Sequence, residues 1–245
     1  MRTFLMTILC LAFASCSTDI NPAEDEMDYA EYNQKVITYL QRKYNVEAEV
    51  EFSPNYKQKL SKENIESFEN FYKFIGCLKE KPMEMTQHET TRGIGVSTEL
   101  FKQTVNYEND GIIVGIYYDV DANGKLADDP RIQAGLAGEG VSSKFNGAWY
   151  QIEFYKSDCR VSGEKIIADA IKGDYVALFY NDKTLEYKFV DGKWTLVPNY
   201  ESGLYARKRV KITAAGTLDT ATKQGRFEVH YAGSGTWFRE GLGDL

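Results

Sequence analysis

The chain has 245 residues and carries 29 Lys and Arg against 36 Asp and Glu, a net charge of −7 at pH 7. Its 43% apolar residues are enough for one sizeable core. The acidic balance, with its lysines scattered, lacks the basic footprint that a nucleic-acid backbone requires, so nucleic acid is set aside as a partner.

The chain begins Met1-Arg2, runs apolar from Phe4 to Ala14, and then reads Ser15-Cys16. A short positive end, an apolar run too short to span a bilayer and small residues before the break predict a secretory signal over residues 1–15. The tail Phe13-Ala14-Ser15-Cys16 resembles a bacterial lipobox. That resemblance implies an exported lipoprotein, lipidated at Cys16 and held to the membrane by its acyl chains, periplasmic or at the outer membrane. Residues 16–28 are acidic with little to bury and read as a flexible tether. Cleavage would remove Arg2 and make the net charge one unit more negative.

Residues 29–85 read as a small α/β lead-in. Tyr32, Val36, Tyr39, Leu40 and Tyr44 recur at helical spacing, Arg42 and Lys43 suit the C-terminal dipole, and Asn45 is the expected stop. Ala48 to Ser53 alternates like a short strand. Ser61 then caps a second helix with Ile65, Phe68, Phe71, Tyr72, Ile75 and Leu78 along one face, ending near Lys79 to Pro82. Cys77 is expected on that stripe as a small buried thiol. With Cys159 it forms no CxxC pair, so neither a zinc site nor a redox motif is indicated, and a bridge between the two is left open.

Residues 86–245 read as a β-rich domain. Lys81 to Asn109 is irregular, a loop with short strands. Ile112, Val114, Ile116, Tyr118 and Val120 then alternate with a mixed set, the signature of a half-buried strand. This strand runs into Asp119-Val-Asp121-Ala-Asn123-Gly124, with Asp128 and Asp129 beyond. Oxygen-bearing side chains at every second position before a glycine resemble the first half of an EF-hand or dockerin loop. The resemblance implies calcium held by Asp119, Asp121, Asn123, Asp128 and Asp129. Pro130 stands where that family has a bidentate glutamate, and a strand replaces the leading helix. The plainer reading is a hairpin with Asn123-Gly124 in a type I′ turn.

Further on, Ala148 to Tyr155 places Tyr150, Ile152 and Phe154 on one face, and Tyr175 to Tyr180 suits a central strand. Leu185, Tyr187 and Phe189 lead through Asp191-Gly192, a two-residue hairpin signal, to Trp194 and Leu196. Tyr205 to Thr213 and Arg226 to Ala232 pair as two more strands, the charges Arg207-Lys208-Arg209 and Lys211 reading as an edge. The expected fold is mainly β (α+β): an antiparallel β-sandwich or barrel-like domain preceded by a small two-helix lead-in.

For chemistry, Trp149, Gln151, Glu153 and Tyr155 share a strand face, and Tyr117 with Asp119 joins them if the strands are neighbours. Aromatic planes beside carboxylates and amides suit a sugar or another small polar ligand. His88 and His230 are far apart and no G-x-S-x-G elbow exists, so catalysis has little support. The reading is a lipid-anchored extracytoplasmic binding protein, calcium-braced at Asp119 to Asp129. A glycan-directed hydrolase and a structural component of an envelope assembly are the alternatives.

Overall fold

A computed structural model describes residues 28–88, 91–93, 101–145, 147–181, 185–190, 193–198 and 203–237. The backbone alone is described at 91–93, 101–102, 185–190 and 193–198. The signal, Cys16 and the tether up to residue 27 lie outside the described residues.

Helix α1 (Tyr29–Tyr44) forms where its apolar spacing predicts, and Asn45 closes it in the left-handed conformation, φ 51°. Strand β1 (Glu49–Phe52) follows. Helix α2 (Lys62–Glu80) starts at Ser61, whose side chain accepts from the Asn64 amide at 3.2 Å. Phe68, Phe71, Tyr72 and Ile75 on this helix are fully buried. Cys77 lies one step off that stripe and is exposed, a correction to the buried thiol expected there. Cys77 and Cys159 are both free.

The remaining described elements are strands, apart from a single 3-10 turn at Ser143–Phe145. Short β2 (Met83–Glu84), β3 (Thr86–Gln87) and β4 (Thr91–Gly93) precede β5 (Phe101–Asn109) and β6 (Ile112–Val120). Strands β7 (Ile132–Ala137), β8 (Glu139–Ser142), β9 (Ala148–Ser162) and β10 (Lys165–Tyr180) come next. The series ends with β11 (Leu185–Val190), β12 (Lys193–Pro198), β13 (Leu204–Asp219) and β14 (Gln224–Ser234). Among the described residues no helix is long and apolar enough to cross a membrane.

One antiparallel sheet has the order β2-β14-β13-β10-β9-β8, with β1 beside the first half of β13. A second runs β3-β5-β6-β7, with β4 on β5, and β11 pairs with β12 as a separate hairpin. The large sheet curls into a half-barrel because β10 and β13 are each 16 residues long and carry bulges that bend them. The fold is therefore the mainly β, barrel-like arrangement behind a helical lead-in that the sequence predicts. Strand β13 is central, flanked by β10 on one side and by β1 and β14 on the other. Its run of charges does not mark an edge.

Two crossovers join the sheets. At Met85, whose amide donates to Phe227 at 2.9 Å, the chain passes from β2 in the large sheet to β3 in the small one. At Gly138, whose carbonyl accepts from Ile152 at 2.8 Å, it passes back from β7 to β8. Such corners are how two sheets share one core. Gly111 completes the seam: its φ of 77° and the Tyr150 hydroxyl only 2.0 Å from where a Cβ would stand leave room for glycine alone.

One contiguous apolar cluster runs through both halves. Ile112, Val114, Ile116 and Tyr118 of β6 belong to this cluster together with Ile166, Ile171 and Leu218 of the large sheet. At the other end Phe68 packs edge-on against Phe179 at 4.8 Å and stacks on Tyr205 at 5.7 Å. Into this aromatic end β13 sends Lys208, fully buried, with its Nζ 3.6 Å from the Phe68 ring centroid and 4.3 Å from that of Tyr72. That amine has no hydrogen-bond partner, and burial pushes it well below the usual lysine range.

Candidate functional site

The outer face of the half-barrel is built by the alternate residues of β9, β10 and β13 that point away from the core. Register places Trp149, Gln151 and Glu153 opposite Leu178, Val176 and Asp174, and Val176 and Asp174 opposite Arg209 and Lys211. One end of this face is apolar: Trp149, Val176 and Leu178 form a small buried cluster of their own. The other end is polar, and it gathers groups far apart in sequence.

Asp174 stands at its centre with no exposed surface. Its Oδ2 accepts from the Tyr155 hydroxyl at 3.2 Å and lies 3.5 Å from Arg209 Nε. Arg209 also reaches Glu153 Oε2 at 3.4 Å and Glu49 Oε2 at 3.8 Å. Glu153 Oε1 in turn accepts from Gln151 Nε2 at 3.1 Å. Three carboxylates thus share one guanidinium, and Asp174 Oδ1 has no partner. Burial pushes the Asp174 carboxyl up to about 6 from its ordinary 3.8, aided by the charge of Glu153 and opposed by Tyr155, Arg209 and the Trp237 amide. Burial first, then Asp174, also raises the Tyr155 phenol.

Tyr155 reaches Asp174 because of a bulge. Lys156 pairs with Lys172 and Phe154 with Gly173, so Tyr155 is the extra residue of β9 and is re-aimed toward the carboxylate. Phe154, on the face it shares with Tyr150 and Ile152, is 45% exposed. After β14 the chain turns at Gly235, φ 77°, and brings Trp237 back over the large sheet. Its indole donates to the Gly173 carbonyl at 2.9 Å, with Lys172 and Lys211 Nζ 5.1 and 5.2 Å from its ring.

Of the ligand-face residues read from sequence, Gln151, Glu153 and Tyr155 come together here. Trp149 is on the same face but 4% exposed, inside the apolar cluster. Tyr117 is exposed on β6, which is flanked by β5 and β7 in the other sheet, so it does not join them. Asp174, Arg209, Glu49 and Trp237 were not foreseen. The one signal for Asp174 was a carboxylate opening the apolar run Tyr175 to Tyr180.

The loop of acidic residues has a separate geometry. Asp119 is 2% exposed and takes Arg131 Nε at 2.9 Å, which pins the base of the hairpin. Asp121 Oδ1 accepts from the amides of Asn123 and Lys125, both at 2.9 Å, and these bonds lower its pKa. Gly124, φ 80°, follows a turn closed by its own amide on the Asp121 carbonyl at 3.0 Å. Asn123 has no positive φ, so this is not a type I′ turn. Asp128 and Asp129 follow in the same connection. Among the described residues no three His, Cys, Asp or Glu side chains converge as metal ligands would.

Compared with family models, curated proteins and solved structures, the chain matches none of them significantly.

Proposed function

We propose that this chain is an exported, lipid-anchored binding protein that takes a small hydroxyl-rich ligand, a saccharide, on the polar end of its outer face. What carries the reading is Asp174: a buried carboxylate with one oxygen unpartnered, inside a cluster of amide, phenol, carboxylates and guanidinium, beside the aromatic plane of Trp237. Sugars meet proteins in this way, with C–H groups on an aromatic face and hydroxyls on fixed polar groups. Export and the anchor rest on the lipobox-like Phe13-Ala14-Ser15-Cys16.

Glycan-array screening followed by calorimetry tests it. A saccharide that binds the full chain should lose affinity by about tenfold or more when Trp237→Ala or Glu153→Gln removes one good contact. Undiminished binding in both variants would move the ligand elsewhere. A hydrolase is the second reading. It is favoured by two carboxylates, Glu153 and Asp174, held by one guanidinium, with the second raised to about 6 as a proton donor requires. Product release from a bound glycan, abolished by Asp174→Asn, would select it.

A further inference from the structure

On the opposite side of the molecule, a groove of about 520 Å³ runs between α2 and the turn joining β5 to β6. That size falls within the range of small-molecule sites. Its floor is apolar, made by Phe74, Leu78 and Met83. Its rim is cationic. Lys73 on α2 and Lys81, the residue that caps its C-terminus, lie eight residues apart, about 12 Å along the groove at 1.5 Å per residue. Lys144 closes one end, paired with Asp110 and 4.9 Å above the Phe74 ring.

We propose that this groove binds an amphipathic anion, an alkyl chain on the apolar floor with its carboxylate or phosphate head between Lys73 and Lys81. In a chain of net charge −7, three lysines meet a single carboxylate here, and Lys144 already engages it. Among the described residues Lys73 and Lys81 form no ion pair. Glu69, the acidic residue one turn before Lys73, is taken by Lys43 at 2.5 Å and the Tyr44 hydroxyl at 2.8 Å. Lys73 acts on Glu69 only through space, behind Lys43 and Tyr44, so both lysines face the apolar trough without a contact ion pair, which complements one charged head on one hydrocarbon tail. A neutral lipid would leave both ammonium groups unmatched, and a short anion would leave the floor wet.

The groove contains its own reporter. Cys77 lies on its wall, exposed and free, while burial raises the thiol pKa of Cys159 and slows its reaction. The experiment is the alkylation rate of Cys77 by N-ethylmaleimide in the full chain, read on the peptide that carries it. Laurate and dodecyl phosphate are the probes, with dodecanol and acetate as controls. A bound probe slows the reaction in proportion to occupancy, by about tenfold at roughly ten times its dissociation constant. Protection by laurate alone identifies a carboxylate ligand, and protection by dodecyl phosphate alone a phosphate one; either supports the proposal. The double variant Lys73→Glu, Lys81→Glu, altered only at exposed positions, should keep its circular dichroism and abolish protection, read as the ratio to its own rate without probe. Equal protection by dodecanol, equal protection by acetate, persistence in the double variant, or none from either probe below its micelle concentration would each overturn the proposal.

Discussion

Asp174 makes stability depend on pH in a direction opposite to that of most carboxylates. Its folded-state pKa, about 6, stands above the 3.8 of an ordinary aspartate because burial penalises the charge more than Arg209 and Tyr155 relieve it. Below pH 3.8 both folded and unfolded chains hold the proton. Between 3.8 and about 6 the folded chain keeps a proton that the unfolded chain has released, so stability falls as pH rises through this window. A difference of about two units corresponds to about 3 kcal/mol, fully lost by pH 7. Asp174→Asn keeps the shape and an acceptor oxygen for Tyr155 and Arg209 but cannot ionise. Its melting temperature relative to the parent should therefore climb between pH 4 and pH 7.5, by about 10 °C for a chain of this length. Calorimetric melting of both proteins across that range is the assay, and taking the difference cancels every other titrating group. A difference that stays constant from pH 4 to pH 7.5 would refute the reasoning, because the carboxyl would then titrate alike in both states.

Lys208→Met is expected to stabilise the fold at pH 7 by about 1–3 kcal/mol, since it replaces an unpartnered buried amine by a flexible apolar chain. The gain should shrink as pH approaches 10.5, where the unfolded lysine also loses its charge; chemical denaturation at pH 7 and pH 10 measures both. With Asp119 committed to Arg131, added calcium should leave the melting temperature unchanged, while Asp121→Ala should lower it with or without the ion by freeing the Asn123 and Lys125 amides. A calcium-dependent rise that the variant loses would restore the ion to the loop. Cys16→Ser should abolish metabolic labelling by a fatty-acid analogue, and undiminished labelling would sink the lipid anchor.

The elements that sequence makes legible are those with one buried face and a local stop. Helix α1 ends at Asn45 and α2 begins at Ser61 because each terminus is closed by a residue chemically suited to it. Every residue of the apolar set in β6 is at most 1% exposed, as its alternation requires. Strand β5 is hard to read because its inward set, Gln103, Val105 and Tyr107, itself contains a buried amide and alternates with the polar Thr104, Asn106 and Glu108. Yet the turn signal was there: Asp110 at φ 51° and Gly111 at φ 77° form the type I′ pair between Asn109 and Ile112. Asn123-Gly124 is the stronger dipeptide signal in sequence, yet there only the glycine takes a positive φ.

The site was half legible for a related reason. Alternation along β9 correctly separates Trp149, Gln151 and Glu153 from Tyr150 and Ile152, but it carries no information on which end of the outer face is covered. Nor does it foresee a bulge, and Tyr155 meets Asp174 only through one. Arg209 lies 56 positions beyond Glu153, and only the antiparallel register of β9, β10 and β13 brings the two together.

Lys208 and Arg209 show how firmly that register is held. Adjacent in sequence, they point to opposite faces, the amine among Phe68 and Tyr72 and the guanidinium among three carboxylates. A slip by one residue would free the amine but turn every other side chain of β13 over. Val210, Ile212, Ala214 and Leu218 are all fully buried, and the larger three contribute about 1.5–3 kcal/mol each by leaving water. Slipping would forfeit that sum and drive Arg209 into the core, against a relief at Lys208 of a few kcal/mol. The buried lysine is therefore tolerated as the smaller cost of a register whose other face assembles the Asp174 cluster. Replacing the lysine should leave that cluster intact, whereas replacing Ile212 by a polar residue should weaken both faces at once.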